Sequence, residues 1–411
     1  MQTHLAPEFK GTPDGHEAEA ILRKCVHCGF CTATCPTYQL LGDELDGPRG
    51  RIYLMKQVLE GAPVTRSTQL HLDRCLTCRN CESTCPSGVQ YGALLDIGRR
   101  IVEEKVERPR GERTVRWLLK EGLTSPLFAP AMKLGQAVRP LLPASLKAKM
   151  PARGTSPDAH RWPTREHDRK VLMLMGCVQP AMMPNVNSAT ARVLDAAGIQ
   201  TLVSDEAGCC GAIRHHLSDH EGGLADMRRN IDAWWPKIVG GTVEAIVMNA
   251  SGCGATVKDY GHALAHDPEY ADKAARVSAL TRDLSELLPD IVPRIRHKVH
   301  TPGDGVLAFH PPCTLQHGQQ LRGGVEEGMR ALGFDVRLAP MDSHLCCGSA
   351  GTYSVLQPEL STALRDRKLE QLQPLAPRAI VSANVGCIQH LQSGTSVPVR
   401  HWVEVLDEAM S

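Results

Sequence analysis

The chain has 411 residues, which at about 150 residues per domain allows two or three domains. Its 46 Lys+Arg against 45 Asp+Glu leave a formal net charge of +1, which excludes the molecule-wide basic field that nonspecific nucleic-acid binding needs. A content of 42% hydrophobic and 22% charged residues excludes a disordered chain and leaves 16 cysteines as the feature to explain.

The first twenty residues have no basic start, apolar core or small-residue cleavage site, so they do not read as a signal peptide. No stretch of 18 apolar residues occurs, and the most apolar long region, 122–146, is broken by Lys133, Arg139 and four prolines. A cytoplasmic chain with no transmembrane span is the expectation. There thiols stay reduced, which favours metal ligation over disulfides.

Residues 1–105 carry Cys25-x2-Cys28-x2-Cys31-x3-Cys35-Pro36 and the same pattern 50 residues on, Cys75-x2-Cys78-x2-Cys81-x3-Cys85-Pro86. Apolar residues recur at spacings of three and four over 49–60 and again over 94–106, which predicts two amphipathic helices with the cysteine runs on loops or short turns between them. Three thiolates at two-residue intervals can wrap one corner of a cubane while a distant fourth closes it, and in two-cluster ferredoxins that fourth ligand belongs to the other run. The pattern therefore predicts one 4Fe-4S cluster on Cys25, Cys28, Cys31 and Cys85, and another on Cys35, Cys75, Cys78 and Cys81. Gly29, Thr32, Ala33, Ser83 and Thr84 are small enough to let main-chain N–H groups approach the sulfurs. Two zinc sites are the rival reading, but zinc leaves no use for the third and fourth cysteine of each run. His27 and His71 lie outside the register and are read as non-ligands.

Residues 106–170 hold 14 Lys+Arg against 6 Asp+Glu, with eight prolines. Short helices are expected over 114–120 and 131–142, with the prolines preventing a long one. The segment reads as a wrapping linker, or as a surface that docks a partner subunit or anionic lipid through its basic charge and Trp117, Leu118, Leu119 and Phe128.

From residue 171 on, the sequence repeats. VLMLMGC (171–177), TLVSDEAGCCG (201–211) and EAIVMNASGC (244–253) are matched by VLAFHPPC (306–313), VRLAPMDSHLCCG (336–348) and RAIVSANVGC (378–387). Matching cysteines are offset by 134 to 137 residues, which divides this half into units 171–300 and 301–411. Apolar β-branched runs alternating with helical patterns predict parallel βα units, whose ligands bind beyond the carboxyl ends of the strands. A cysteine follows every run. Each unit thus offers four thiols for a further cluster: Cys177, Cys209, Cys210 and Cys253 in the first, Cys313, Cys346, Cys347 and Cys387 in the second. An adjacent cysteine pair closes a mutual disulfide poorly but can give two thiolates to one metal. Gly211 and Gly348 suit a tight turn at a helix start. His310, His317, His344 and His390 are either proton carriers or ordinary hydrogen-bonding groups.

Together, KCVHCGFCTATCPTY (24–38), DGPRGRIYLMK (46–56), CLTCRNCESTCPSGVQYG (75–92) and the two Cys…Cys-Cys-Gly…Cys repeats resemble the iron–sulfur subunits of flavin-linked oxidoreductase complexes. That group includes the heterodisulfide reductase subunits with cysteine-rich CCG domains, the third subunit of anaerobic glycerol-3-phosphate dehydrogenase and, most similar, the glycolate oxidase iron–sulfur subunits. The resemblance implies an α+β fold class, with a helical two-cluster ferredoxin-type domain followed by a duplicated α/β CCG unit with short parallel sheets. It implies an electron relay beside a flavoprotein subunit that oxidises glycolate to glyoxylate, flavin being bound only in that partner, with a quinone or other membrane acceptor and a peripheral position on the cytoplasmic face of the inner membrane.

The chain departs from the fullest CCG pattern, Cys-x2-Cys, at Thr256 and His390. That departure leaves open an ordinary cluster on four thiols, a nitrogen ligand from His390, or a repeat that is only structural. No G-x-G-x-x-G after a strand, P-loop or G-x-S-x-G occurs, so substrate-carbon chemistry is not expected in this chain. The rival functions are the same relay beside a D-lactate or glycerol-3-phosphate dehydrogenase, a thiol–disulfide reductase, and a scaffold held by inert clusters.

Overall fold

The computed structural model describes residues 1–141, 158–300 and 302–411. They form two compact units, Met1–Val115 with His344–Lys368, and Arg116–Ser343 with Leu369–Ser411.

In the first unit, the helices Pro13–Lys24, Pro48–Leu59 and Tyr91–Lys105 bury Ile21, Leu22, Ile52, Met55, Leu59, Leu94, Leu95 and Ile101 in one core. The two periodic stretches at 49–60 and 94–106 are thus helices, starting one and three residues earlier than the apolar patterns. Pro13–Lys24 starts where Thr12 accepts the Gly15 N–H at 3.0 Å, with a proline on its first turn where no N–H is needed. Gly98 sets how closely Tyr91–Lys105 meets Pro48–Leu59, since a Cβ there would lie 2.6 Å from the Met55 sulfur. His344–Lys368, although drawn from the second cysteine repeat, belongs to this unit: Arg367 donates to Gln39 at 2.7 Å and the Tyr353 hydroxyl to the Arg74 carbonyl at 3.0 Å.

The second unit holds two four-stranded parallel sheets. The first contains β1 (Arg169–Met173), β2 (Ile199–Leu202), β3 (Ala245–Met248) and β4 (Thr281–Asp283) in the order β2-β1-β3-β4. The second contains β5 (Leu307–Phe309), β6 (Val336–Leu338), β7 (Ala379–Ser382) and β8 (Val399–His401) in the order β6-β5-β7-β8. Val171 faces Thr201 and Ala245 in register; Leu307 faces Val336 and Ala379. The duplication read in the cysteines is therefore a duplication of topology, and the fold class is α+β as expected.

Val171, Ile199 and Val247 of the first sheet share a core with Leu307, Phe309 and Val381 of the second. Buried polar contacts fasten the repeats as well: Arg192 on Pro184–Ala196 pairs with Asp407 on Trp402–Ala409 at 2.6 Å, and Asn185 donates to Glu404 at 3.0 Å. The fourth strand of each sheet is unforeseen, because three residues such as Thr281-Arg282-Asp283 make no apolar run.

The basic segment differs from expectation in one respect. Pro109 and Pro126 frame a 15-residue helix, Arg110–Thr124, rather than preventing a long one, since both fall outside it. No residue of that helix is buried, and Trp117 and Leu118 are each 56% exposed. A second helix, Phe128–Val138, covers most of the stretch expected at 131–142, whose last residue lies outside the described residues. Among the described residues no helix is long and apolar enough to cross a membrane.

Candidate metal centres

The two N-terminal cysteine runs fold alike for a backbone reason. His27 and Gly29 in the first, and Thr77 and Arg79 in the second, have φ of 56°, 86°, 53° and 57°, so the same two positions of each run take the left-handed region. That conformation is disfavoured for His, Thr and Arg, and it curls each run around a hollow before the short helices Phe30–Ala33 and Asn80–Thr84 begin. Cys35 then caps Pro36–Leu41, a helix that opens on its proline.

Two cavities result. One is lined by Cys25, Cys28, Cys31 and Cys85, with Cys81 reaching its wall, and by Val26, Phe30, Arg49 and Tyr91. The other is lined by Cys35, Cys75, Cys78 and Cys81 together with Arg51, Arg79 and Tyr91. Cys25, Cys35, Cys75 and Cys81 are buried, whereas Cys28 is exposed. Burial pushes the thiol pKa of Cys25 up, that of Cys31 to about 11, and that of Cys81 well above its ordinary value. Thiolates so placed need a cationic centre to be stable. Four soft donors around each hollow suit an iron–sulfur cluster, which would supply one-electron transfer.

Several donors reach the sulfurs of the second cavity. The Thr77 N–H and the Tyr91 hydroxyl each donate to Cys75 at 3.5 Å, and the Thr37 hydroxyl lies 3.3 Å from the Cys35 sulfur. Of the small residues flanking the runs, Thr32 donates its hydroxyl to the Gly29 carbonyl at 2.6 Å and Ser83 to the Asn80 carbonyl at 3.1 Å. Beneath this cavity sits a buried ionic group. Asp46, with no exposure, receives Arg51 at 3.3 Å, His71 Nδ1 at 3.1 Å and Arg74 at 2.9 Å, and Arg51 also donates to Thr37 at 3.1 Å. His71 is thus a buried partner of Asp46, while His27 lines the first cavity.

In the first repeat, Cys177 follows β1, Cys209 and Cys210 follow β2, and Cys253 stands on Ser251–Lys258 after β3. Their sulfurs converge: Cys177 and Cys210 hydrogen-bond to Cys209, and Cys253 bonds to Cys210. These bonds hold the Cys209 thiol low and drive those of Cys177 and Cys210 up. The Gly211 N–H adds a bond to the Cys209 sulfur at 3.4 Å, and Gly211, at φ 93°, caps Ala212–His216. Asn230 and Tyr260, which the sequence pattern does not single out, hold the pair by its main chain: Asn230 donates to the Cys209 carbonyl at 2.7 Å and Tyr260 to the Cys210 carbonyl at 2.9 Å. Thr256 turns its hydroxyl to the Gly252 carbonyl at 3.0 Å.

In the second repeat, Cys313 ends the run after β5 and Cys387 lies on Val385–Gln392, both in the second unit, whereas Cys346 and Cys347 lie in the first. The Cys346 sulfur accepts from the Gly348 N–H at 3.4 Å, matching Cys209 and Gly211. Gly348 also has a positive φ, 88°, but the next helix, Tyr353–Leu356, starts five residues later, so no helix start is formed there. His310 and His317 are buried, and His390 follows Cys387 by three residues on its helix. The described residues include all 16 cysteines, and no disulfide forms among them.

Residues 21–89 match the family described as a 4Fe-4S dicluster domain, and 171–258 and 307–392 each match the cysteine-rich domain family named CCG. The chain is 56% identical over 411 residues to the glycolate oxidase iron-sulfur subunit of Escherichia coli (strain K12), covering 100% of this chain and 99% of the relative. It is 30% identical over 416 residues to the probable glycolate oxidase iron-sulfur subunit of Bacillus subtilis (strain 168), covering 94% and 91%. Lactate utilization protein A of Geobacillus thermodenitrificans (strain NG80-2) is 26% identical over 246 residues, 58% of this chain and 98% of the relative. With a dicluster region, two CCG repeats and full-length identity of this order, the chain is an iron–sulfur protein and belongs to the family of glycolate oxidase iron–sulfur subunits.

Proposed function

We propose that the chain relays electrons one at a time, from the reduced flavin that a partner subunit forms as it oxidises glycolate to glyoxylate, toward a quinone-type acceptor. The observation that carries this reading is that the first three cysteines of each run share a hollow with the last cysteine of the other run, Cys81 alone touching both hollows. On it, Cys25, Cys28, Cys31 and Cys85 hold one 4Fe-4S cluster, and Cys35, Cys75, Cys78 and Cys81 hold the second. The converging thiols of Cys177, Cys209, Cys210 and Cys253 make the first repeat a candidate for a third, and Cys313, Cys346, Cys347 and Cys387 are the corresponding set for a fourth. The protein's part is to bind, insulate and tune the clusters. Their chemistry is single-electron exchange, which connects a two-electron flavin to its acceptor.

The partial match to lactate utilization protein A supports a second reading, the same relay beside a lactate dehydrogenase. Anaerobic isolation of the chain with its natural partners, followed by addition of glycolate, D-lactate or glycerol-3-phosphate, separates the two. Cluster EPR signals that grow with glycolate alone support the first reading; growth with D-lactate alone replaces it by the second. Clusters that stay oxidised with all three substrates, yet are reduced by dithionite, refute the relay.

A further inference from the structure

We infer that Arg51 fixes the order of the relay, by making the cluster on Cys35, Cys75, Cys78 and Cys81 the one more easily reduced, so that electrons pass to it from the cluster on Cys25, Cys28, Cys31 and Cys85. The inference rests on the two-cluster assignment proposed above.

Arg51 is 1% exposed, lines the second cavity, and donates to the same Thr37 hydroxyl that lies 3.3 Å from the Cys35 sulfur. Its other bonds, to the His71 carbonyl at 2.7 Å and to Asp46, hold the guanidinium in place. A guanidinium keeps its proton throughout the ordinary pH range, so this buried charge is fixed. Arg74 brings a second positive charge to Asp46, so the two arginines outweigh the one carboxylate.

Reduction adds one negative charge to a cluster, and a nearby fixed cation favours the state with more negative charge. The hydrogen bonds from Thr77 and Tyr91 to Cys75 act in the same direction. The first cavity has its arginine too, but Arg49 is 38% exposed and is paired with Glu44 at 2.6 Å. Water beside the exposed Cys28 also favours the reduced state of that cluster. A charge held in the low-dielectric interior acts with less screening than one at the surface, and it decides the order. The step itself is the loss of one electron by the first cluster and its gain by the second, with no bond broken and no proton moved.

The test is an EPR-monitored redox titration of the isolated, cluster-loaded chain and its variants. Cys28→Ser and Cys78→Ser first identify which signal belongs to which ligand set; a loss of the same signal in both overturns the assignment and not the role of Arg51. Arg51→Gln is expected to lower the potential of the signal lost in Cys78→Ser and to leave the other in place, while Arg51→Lys, which keeps the charge, retains most of the potential. Should Arg51→Gln fail to fold, Asp46→Asn reads the same field with the opposite sign, and the potential of that signal should rise. Potentials that do not move in a folded variant, or a wild-type chain whose higher potential belongs to the signal lost in Cys28→Ser, overturn the inference.

Discussion

Tyr353 donates its hydroxyl to the carbonyl of Arg74 across 3.0 Å, so the segment that carries Cys346 and Cys347 is fastened to the residue immediately before Cys75. The ring is 6% exposed. Burial above all, with Cys75 and Cys346, raises the pKa of its hydroxyl, and the group stays protonated and available as a donor. Tyr353→Phe keeps the ring and deletes the bond, which should cost about 1 kcal/mol of local stability. The measurement is hydrogen exchange: amides of residues 344–368 should exchange roughly five times faster, with the helix Pro13–Lys24 unaffected. Equal rates in the two proteins would show that the bond contributes nothing to holding the segment.

Replacing one ligand at each N-terminal hollow separates the two sites. Cys28→Ser and Cys78→Ser should each lose the iron of one cluster and abolish electron transfer to the acceptor, because a hard hydroxyl is a poor substitute for a thiolate. Iron analysis against protein concentration reads the outcome. Full iron content with undiminished transfer in either variant would remove that cysteine from its ligand set.

The second-half cysteines need the same treatment separately. In the first repeat Cys209 receives bonds from both Cys177 and Cys210, so Cys209→Ser removes the sulfur on which the others converge. The expected result is a loss of iron beyond what the N-terminal ligands account for, and the same loss is expected for Cys346→Ser. Iron content unchanged in both would leave the repeats as purely structural domains.

Much of this molecule can be read from its sequence because thiol spacing and strand period are local properties. Two runs of four cysteines displaced by 50 residues, and apolar runs each ending in a cysteine, are enough for the dicluster region and the parallel sheets. What the sequence hides is long-range or carried by ordinary residues. Arg51 is one arginine in a charged helix until folding places Asp46, Thr37 and His71 around it. Asn230 and Tyr260 grip the Cys209–Cys210 main chain from 21 and 50 positions away, a distance that no local pattern spans. Nor does the repeat pattern reveal that His344–Lys368 packs with the N-terminal helices, since its cysteines match those of the first repeat residue for residue.

Gly348 and Gly211 should tolerate no side chain. Both have φ near 90°, and a Cβ would lie 2.5 Å from the Ser361 carbonyl oxygen at Gly348 and 2.9 Å from that of Gly223 at Gly211. The left-handed backbone alone costs an alanine about 1–2 kcal/mol, and the contact with a main-chain oxygen adds to it. Gly348→Ala is therefore expected to be the more damaging of the two, as measured by midpoints of thermal unfolding and by iron retained. A Gly348→Ala protein as stable as the wild type would contradict the tight packing of this turn.

His401 links the repeats through an uncharged ring, and that makes the second unit sensitive to acid. Its Nδ1 accepts the Val403 N–H at 3.1 Å while its Nε2–H donates to the Asn249 carbonyl at 2.9 Å, which leaves no site for a second proton. Burial lowers its pKa from 6.5 to about 3. The unfolded chain therefore binds this proton below about pH 6.5 and the folded chain does not. Stability from this group is complete above that pH and declines by about 1.4 kcal/mol per unit as the pH falls toward 3. Glu404, whose pKa burial raises, works in the opposite direction, so the informative quantity is the difference between wild type and variant. In His401→Gln the amide can replace both hydrogen bonds without titrating. All five tryptophans, including the buried Trp234 and Trp402, lie in the second unit, so fluorescence-detected urea unfolding at pH 7.5 and 5 reports on it. The variant should lose about 2 kcal/mol less than the wild type between those two pH values. Equal losses would mean that His401 is protonated in the folded protein and that its Nδ1 does not accept the Val403 N–H.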